Sequence, residues 1–320
     1  MSLQRLDVVV AYYNGSKYIQ DQVNSILANR LPERLSLEIR IIDDGSKPEE
    51  FAFLKSAFSH RKQITISQNE RNLGVIRTFE NGIKSSDADF IMLCDQDDVW
   101  LEDKIERSFQ SLSSIAGNQP ALVFTNLRPV TTDLKPISER MLNIQFEQQE
   151  QSHSLLFQNL VAGCTTMFNR QLKELCLPFP AHIPMHDHWL AVCAAFGGRI
   201  NFVEEPTILY RQHSSNTVGT PKRSLFQRLK SPLATFKRLT GSLNIKSQQT
   251  RALAGRLRER SSSTDANELE KIGQAFQDPS LSNLMFLIRT KTFRANPITM
   301  TILSIAYLLS GSFKSELATR

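Results

Sequence analysis

The first 130 residues alternate between two hydrophobic periods. "LDVVVA" (6–11), "LEIRII" (37–42), "ITIS" (64–67), "DFIML" (89–93) and "ALVF" (121–124) are compact, mostly β-branched runs of strand length. Between them, apolar residues recur at helical spacing. Ile19, Val23, Ile26 and Leu27 share a face behind Ser16 as an N-cap; Phe51, Leu54 and Phe58 do so behind Ser46, with Pro48 in the first turn; Ile76, Phe79 and Ile83 repeat the pattern. Strands alternating with helices of this length predict βαβ units, and hence an α/β fold with a mostly parallel central sheet and helices on both faces.

From about 150 to 220 the pattern loosens. "LLFQNLVAGCTTMFNRQLKEL" predicts a helix, a Gly turn, a strand and a short helix. "HDHWLAVCAAFGG" predicts a helix ended by glycines, and "INFVEEPTILYRQH" two short strands broken at Pro206. Beyond 220 only helical patterns remain: a basic amphipathic segment over 221–260, a helix start in "SSSTDANELEK", and a short apolar helix in "PITMTILSIAYLLSG" (297–311). The division expected is a catalytic-type α/β domain over 1–220 and a basic helical region over 221–320.

Ligands of such sheets bind beyond the carboxyl ends of the strands. Three polar segments fall there: "YYNG" (12–15), "DDGS" (43–46) and "CDQDD" (94–98). The last puts Asp95, Asp97 and Asp98 within four residues, where like charges repel unless a cation neutralises them. Two acids separated by one residue can present hard oxygens to Mg²⁺ or Mn²⁺, an ion that keeps positions for water and phosphate. Such an ion suits a diphosphate leaving group, because it neutralises charge on the departing oxygens. Neither GxGxxG nor GxxxxGK[ST] occurs, which weighs against dinucleotide and ATP-type sites. Taken alone, each acidic segment also fits a turn or a helix start.

Composition narrows the class. With 41% hydrophobic and 22% charged residues the chain is globular. Cys94, Cys164, Cys176 and Cys193 lack paired metal-type spacing and read as buried thiols in a reducing compartment. The opening "MSLQRLDVVVAYYN" shows no signal-peptide pattern, and no apolar run approaches the ~18 residues of a membrane span. The net charge of +6 conceals an asymmetry: 221–320 holds 17 Lys or Arg against 6 Asp or Glu, whereas 1–220 holds 21 against 26. The basic tail calls for an anionic surface.

The succession "VVVAYYNG", "IIDDGS", "NLGVIRTFENG", "IMLCDQDDVW", "HDHW" and "YRQHSSNTVG" resembles family 2 glycosyltransferases over roughly residues 5–220, and most of all bacterial rhamnosyltransferase-like members that build surface polysaccharides. The resemblance implies a GT-A nucleotide-sugar-binding fold. It implies that Ala11, Tyr13, Asp43 and Asp44 hold base and ribose, and that Asn72, Gly74 and Arg77 line the nucleotide and diphosphate side. The DxD is Asp95-Gln96-Asp97, with Asp97 the direct ligand of Mg²⁺ or Mn²⁺ and Asp95 serving ribose or a metal-bound water; Asp98 caps the following helix. Asp187 matches the general base of an inverting displacement. His213 matches a further metal or diphosphate ligand and Arg211 a diphosphate partner. His186 departs from the family pattern, standing where many relatives carry an acid.

The implied donor is a dTDP- or UDP-sugar, with L-rhamnose as the first choice of sugar, and the acceptor a growing glycan or lipid-linked oligosaccharide. The alternatives are a nucleotidyltransferase, against which the loop "AYYNGSKY" counts, and a catalytically silent sugar-nucleotide-binding or assembly protein. His186 and His188 around Asp187 lack the further ligands of a zinc site. In "PKRSLFQRLKSPLATFKRL" apolar positions are interleaved with positive charge, as in helices that lie on anionic membranes. The rival for this segment is a helical subdomain packed on the catalytic body or on a second copy of the chain. Sparse aromatics weigh against nucleic acid. A cytoplasmic enzyme held peripherally on the inner face of the membrane is the resulting expectation.

Overall fold

The computed structural model describes residues 3–213, 232–260, 263–293, 300 and 304–310. In chain order these form β1 (Gln4–Tyr12), α1 (Ile19–Leu27), β2 (Leu35–Asp43), α2 (Pro48–Phe58), β3 (Ile64–Gln68), α3 (Val75–Ser85), β4 (Phe90–Cys94), β5 (Val99–Trp100), α4 (Lys104–Ala116) and β6 (Ala121–Val130). There follow α5 (Gln148–Leu155), β7 (Thr166–Asn169), α6 (Arg170–Cys176), α7 (His186–Gly197) and β8 (Arg199–Arg211), then α8 (Pro232–Arg260), α9 (Ser263–Gln277) and α10 (Leu281–Arg289). The described residues fall into two compact units: those within Met1–Gln148, Val161–Phe179 and Met185–Asn216, and those within Gln149–Leu160, Pro180–Pro184 and Thr217–Arg320.

The first unit is built on an eight-stranded sheet of order β3-β2-β1-β4-β7-β6-β8-β5. β3, β2, β1 and β4 run parallel, as do β6 and β8; β7 is antiparallel to β4 and β6, and β5 to β8. Val8, Val9 and Val10 of β1 are wholly buried, which is why "VVV" is unbroken: a central parallel strand is covered on both faces. One face packs the α1 and α4 side chains Ile19, Val23, Ile26, Ile105 and Leu112 into a single core with Leu6, Val8 and Met92. The acidic loop 95–98 is thereby tethered at both ends, to central β4 and to β5 at the sheet edge.

Local details depart from the sequence reading. "INFVEEPTILYRQH" forms one strand, β8, rather than two; Pro206 sits opposite Asn126 where the β6–β8 register shifts, so its missing N–H falls at an irregularity of the ladder. Ser16 does not cap α1, which begins at Ile19; its hydroxyl instead donates to Glu50 Oε1 at 2.9 Å. Ser46 precedes the N-cap position of α2, which is Lys47. Asp98 does not cap α4, whose N-cap position is Asp103, five residues on.

Among the described residues, the second unit is helical. Leu253, Leu257, Leu269, Ile272, Phe276, Leu284, Leu287, Phe293 and Tyr307 form its buried interior. Ser280 caps α10 by accepting from the Asn283 N–H at 3.2 Å, and the Tyr307 hydroxyl donates to the Ala275 carbonyl at 2.6 Å. The most basic part of the expected amphipathic helix, 221–231, lies outside the described residues. No helix among the described residues is long and apolar enough to cross a membrane.

Candidate active site

The three strand-end loops are knitted together by their own polar groups. The Tyr13 N–H donates to Gln96 Oε1 at 2.8 Å, while the Gln96 amide returns a bond to the Tyr13 carbonyl at 3.2 Å. Asn14 N–H donates to Ser46 Oγ, and Lys47 N–H to Asn14 Oδ1. Beneath them the buried Tyr12 hydroxyl donates to Glu50 Oε2 at 2.6 Å, a bond that lowers the Glu50 pKa. Gln96, placed by its position in the DxD, therefore joins the β1 and β4 loops. Ala11 is half-buried and Tyr13 exposed beside it.

The acidic loop holds its carboxylates in unequal surroundings. Asp95 is pushed up to about 7, first by burial and then by the neighbouring carboxylates of Asp97 and Asp187. Asp97 Oδ2 lies 2.8 Å from His213 Nε2, and the His213 ring stacks on Tyr18. Asp98 is fully buried: Oδ1 accepts from the Arg211 backbone N–H at 3.0 Å, and Oδ2 has no hydrogen-bond partner. Burial and the two adjacent carboxylates raise its pKa.

Ligand atoms of Asp95, Asp98 and Cys164 lie within 4.8 Å of one another. Burial drives the Cys164 pKa further up, so it stays a thiol beside the two carboxylates. What faces a cation is then a set of hard oxygens, one of them an orphaned buried acceptor. That set fits Mg²⁺ or Mn²⁺ and not a thiophilic metal.

Asp187 stands in the first turn of α7 and is buried. Its Oδ2 accepts from the Gly163 N–H at 3.0 Å and its Oδ1 from the His188 N–H at 2.6 Å, so both oxygens are oriented by backbone. Its charge is felt at Asp95, which brings the expected base and the acidic loop into one site. His186 stacks on Phe79 with ring centroids 4.2 Å apart, and neither ring nitrogen finds a partner. Burial pushes His186 down to about 3, so the ring is neutral. Trp189 fixes α7 from below by donating to the Cys176 carbonyl at 3.0 Å.

A Cβ on Gly163 would fall 2.6 Å from His186 Nε2 and 3.5 Å from Asp187 Cβ. Gly163→Ala should therefore shift the Asp187 carboxylate and lower kcat by about tenfold to a hundredfold. Nucleotide affinity should stay unchanged, as read by steady-state kinetics beside calorimetry.

The β2 loop is held differently from the β4 loop. Asp43 Oδ2 accepts from Gln68 Nε2 at 2.7 Å and its Oδ1 from the Ser46 N–H at 3.2 Å. Asp44 Oδ1 accepts from Asn69 Nδ2 at 2.9 Å and from the Leu73 N–H at 2.8 Å, and its Oδ2 from the Gly74 N–H at 2.9 Å. Gly45 has φ +71°, and a Cβ there would be 2.6 Å from the Arg71 backbone, so only glycine lets the two loops approach this closely. Asn72 is exposed on the same loop, and Arg77 pairs with Glu80, whose other oxygen accepts from the Phe179 N–H. The Arg211 guanidinium, buried, donates to the Thr132 carbonyl at 2.5 Å and to Asp21 Oδ2 at 2.9 Å, and lies over the Tyr18 ring.

Sequence reasoning passed over Gly163 and Cys164, which meet Asp187 and Asp95. "AGCTT" carries no motif, and its place follows only from the antiparallel seating of β7 beside β4. It passed over Lys104 as well, a lysine at the start of an amphipathic helix whose burial nothing in the local pattern announces.

Known proteins resemble the chain in both sequence and fold. The family model described as "Glycosyl transferase family 2" matches residues 7–175, just over half of the chain. A dTDP-rhamnosyl transferase, RfbG of Shigella flexneri, is 26% identical over 228 residues, covering 66% of this chain and 73% of its own. An uncharacterized glycosyltransferase of Nostoc sp. is 24% identical over 221 residues, covering 66% of each. Among solved structures, S. aureus TarS 1–349 in complex with UDP-GlcNAc superposes with a TM-score of 0.54 at 13% identity, over 98% of this chain and 92% of that one. The architecture shared with it is the GT-A fold.

Proposed function

The chain belongs to glycosyl transferase family 2, and from that premise we propose that it is a divalent-metal-dependent inverting glycosyltransferase. The observation that carries this reading is the meeting of the acidic loop with the N-terminus of α7 at Gly163–Cys164: ligand atoms of Asp95 and Asp98 lie within 4.8 Å of the Cys164 sulfur, and the Gly163 N–H donates to Asp187. Asp95 and Asp98 belong to a hard-oxygen site suited to a diphosphate-bound cation. Asp187 is fixed by two backbone N–H groups, which orient both of its oxygens.

In the reaction, the acceptor hydroxyl gives its proton to Asp187 as its oxygen bonds to the anomeric carbon of the donor. The bond from that carbon to the diphosphate oxygen breaks, and the nucleotide diphosphate leaves with the electron pair. Mg²⁺ or Mn²⁺, when bound, supplies charge neutralisation of the leaving diphosphate; Asp95, Asp97 and Asp98 are the residues to hold it, with His213 poised on Asp97. A single displacement inverts the anomeric centre and needs no covalent intermediate. The Tyr13–Asn14 loop and the loop 69–74 that Asp44 pins flank the place for base and ribose, with Asp43 beside them; Arg77 and Arg211 are the nearby guanidinium groups on the diphosphate side.

The donor proposed is a dTDP- or UDP-sugar and the sugar L-rhamnose, by likeness to the Shigella protein. The acceptor is a growing surface glycan or its lipid-linked precursor. Peripheral attachment to an anionic membrane is supported by the basic excess of 221–320 and by Leu281, Met285 and Ile288, exposed along one side of α10. A thermal-shift panel of dTDP-, UDP- and GDP-sugars with and without Mn²⁺ tests the reading. One nucleotide class should raise Tm, and only with the metal. A folded protein indifferent to every nucleotide sugar contradicts it.

A further inference from the structure

Tyr18 occupies the N-cap position of α1, with φ −123° and ψ −21°, and its side chain makes no capping bond. Ser, Thr, Asp and Asn stabilise such a position, because their short oxygens reach the free N–H groups of the first turn. A tyrosine forgoes that stabilisation, and a local rule broken at the rim of a site calls for another use of the side chain. The ring meets the end of β8. The His213 imidazole stacks on it with centroids 5.5 Å apart and planes at 18°, and the Arg211 guanidinium carbon lies 4.9 Å from its centroid. Lys17 Nζ lies 4.8 Å from the same centroid, as the negative face of an aromatic ring favours.

Both β8-end residues on the ring also touch the acidic loop. His213 Nε2 lies 2.8 Å from Asp97 Oδ2, and the Arg211 backbone N–H donates to Asp98 Oδ1 at 3.0 Å. Adjacent ligands of an octahedral ion held at ~2.1 Å stand about 3 Å apart. The His213–Asp97 spacing therefore already suits two neighbouring positions on one ion. Asp97 is carried by a loop tethered at both ends, whereas His213 lies two residues beyond β8, which ends at Arg211. The Tyr18 ring, carried by α1, gives the imidazole a fixed surface from outside both β8 and the loop.

We propose that Tyr18 is a positioning residue for the metal site: its ring holds the His213 imidazole at the spacing from Asp97 that a divalent cation needs, so that binding does not have to order that side chain. The inference rests on the metal-dependent reading of the acidic loop. The role belongs to the aromatic ring, not to the hydroxyl or to bulk alone. Phenylalanine keeps it, and leucine fills much of the space but loses the stacking. Asparagine loses the ring while supplying the cap that α1 lacks.

The experiment is calorimetric titration of the full chain with Mn²⁺ alone, with a melting curve of each metal-free protein. The proteins are the unaltered chain, Tyr18→Phe, Tyr18→Leu, Tyr18→Asn, His213→Ala, and Tyr18→Leu combined with His213→Ala. Tyr18→Phe should bind Mn²⁺ as the unaltered chain does. Tyr18→Leu and Tyr18→Asn should bind it about threefold to tenfold more weakly, the scale of ordering one side chain on binding. His213→Ala should itself weaken binding, and adding Tyr18→Leu to it should take nothing further. The asparagine variant separates positioning from stability: its cap should let it melt above Tyr18→Leu while its affinity is no better. Affinity that follows Tm across the variants overturns the proposal, as does an equal loss from Tyr18→Leu with and without His213. If the unaltered chain binds no Mn²⁺, the metal-dependent reading itself falls and this inference with it; binding with no loss in Tyr18→Leu and Tyr18→Asn removes this inference alone.

Discussion

Asp187→Asn should lower kcat by about 10³-fold, within the range by which a positioned general base accelerates proton transfer, and leave nucleotide binding intact. The expected loss follows from what the amide cannot do. In the inverting displacement proposed above the acceptor hydroxyl must lose its proton as the new bond forms, and an amide oxygen is a feeble base. The structure adds a second consequence. Both Asp187 oxygens accept backbone N–H bonds, from Gly163 and His188, so the new NH₂ must confront one of those donors. An unpaired buried donor costs about 1–3 kcal/mol, and the variant should melt at a lower temperature besides turning over slowly. Initial rates, nucleotide calorimetry and a melting curve on the same preparation separate the two effects. Retained activity with normal donor binding would remove Asp187 from the chemistry.

Asp44→Ala should be the more destabilising change, by about 2–4 kcal/mol, since it strips one buried acceptor from three donors, some of which can turn to water. Asp44 is 5% exposed, and its carboxylate ties the end of β2 to Asn69, Leu73 and Gly74. Without it the loop that carries Asn72 and leads into α3 loses its tether, and nucleotide affinity should fall with stability. Asp44→Asn keeps an oxygen for Asn69 and Leu73 but turns its NH₂ on the Gly74 N–H, and should lie between the two. Urea midpoints for the three proteins read this directly. A variant of undiminished stability that no longer binds nucleotide would show the Asp44 carboxylate acting on the base or ribose itself.

Much of the fold was legible because the sheet is made of local units. "LDVVVA", "LEIRII", "ITIS" and "DFIML" each end where a polar loop begins, and the helices between them show clear apolar faces. The reading failed where structure depends on distant pairing. β7 joins the sheet only by lying against β4 and β6, and β8 runs through Pro206 because β6 changes register beside it. Ser16 looked like a cap because an N-cap is a local signature, yet Glu50, 34 residues away, takes its hydroxyl.

The site divides in the same way. Clusters such as "DDGS" and "CDQDD" announce themselves by composition and position. The surroundings that set their chemistry are non-local: the Arg211 N–H on Asp98, the Cys164 sulfur beside Asp95 and Asp98, and the two N–H groups on Asp187. His186 is the sharpest case. It stands where the resemblance calls for an acid, and burial against Phe79 keeps its ring neutral.

If the acidic loop holds a cation for a nucleotide diphosphate, calorimetric titration with dTDP and UDP, each with and without Mn²⁺, will show it when Asp97→Ala is run beside the unaltered chain. Mn²⁺-dependent binding of at least one nucleotide is expected, reduced at least about tenfold in Asp97→Ala, the scale of one lost charge-assisted contact of ~1.4 kcal/mol. Nucleotide binding that ignores both the metal and the substitution would contradict it.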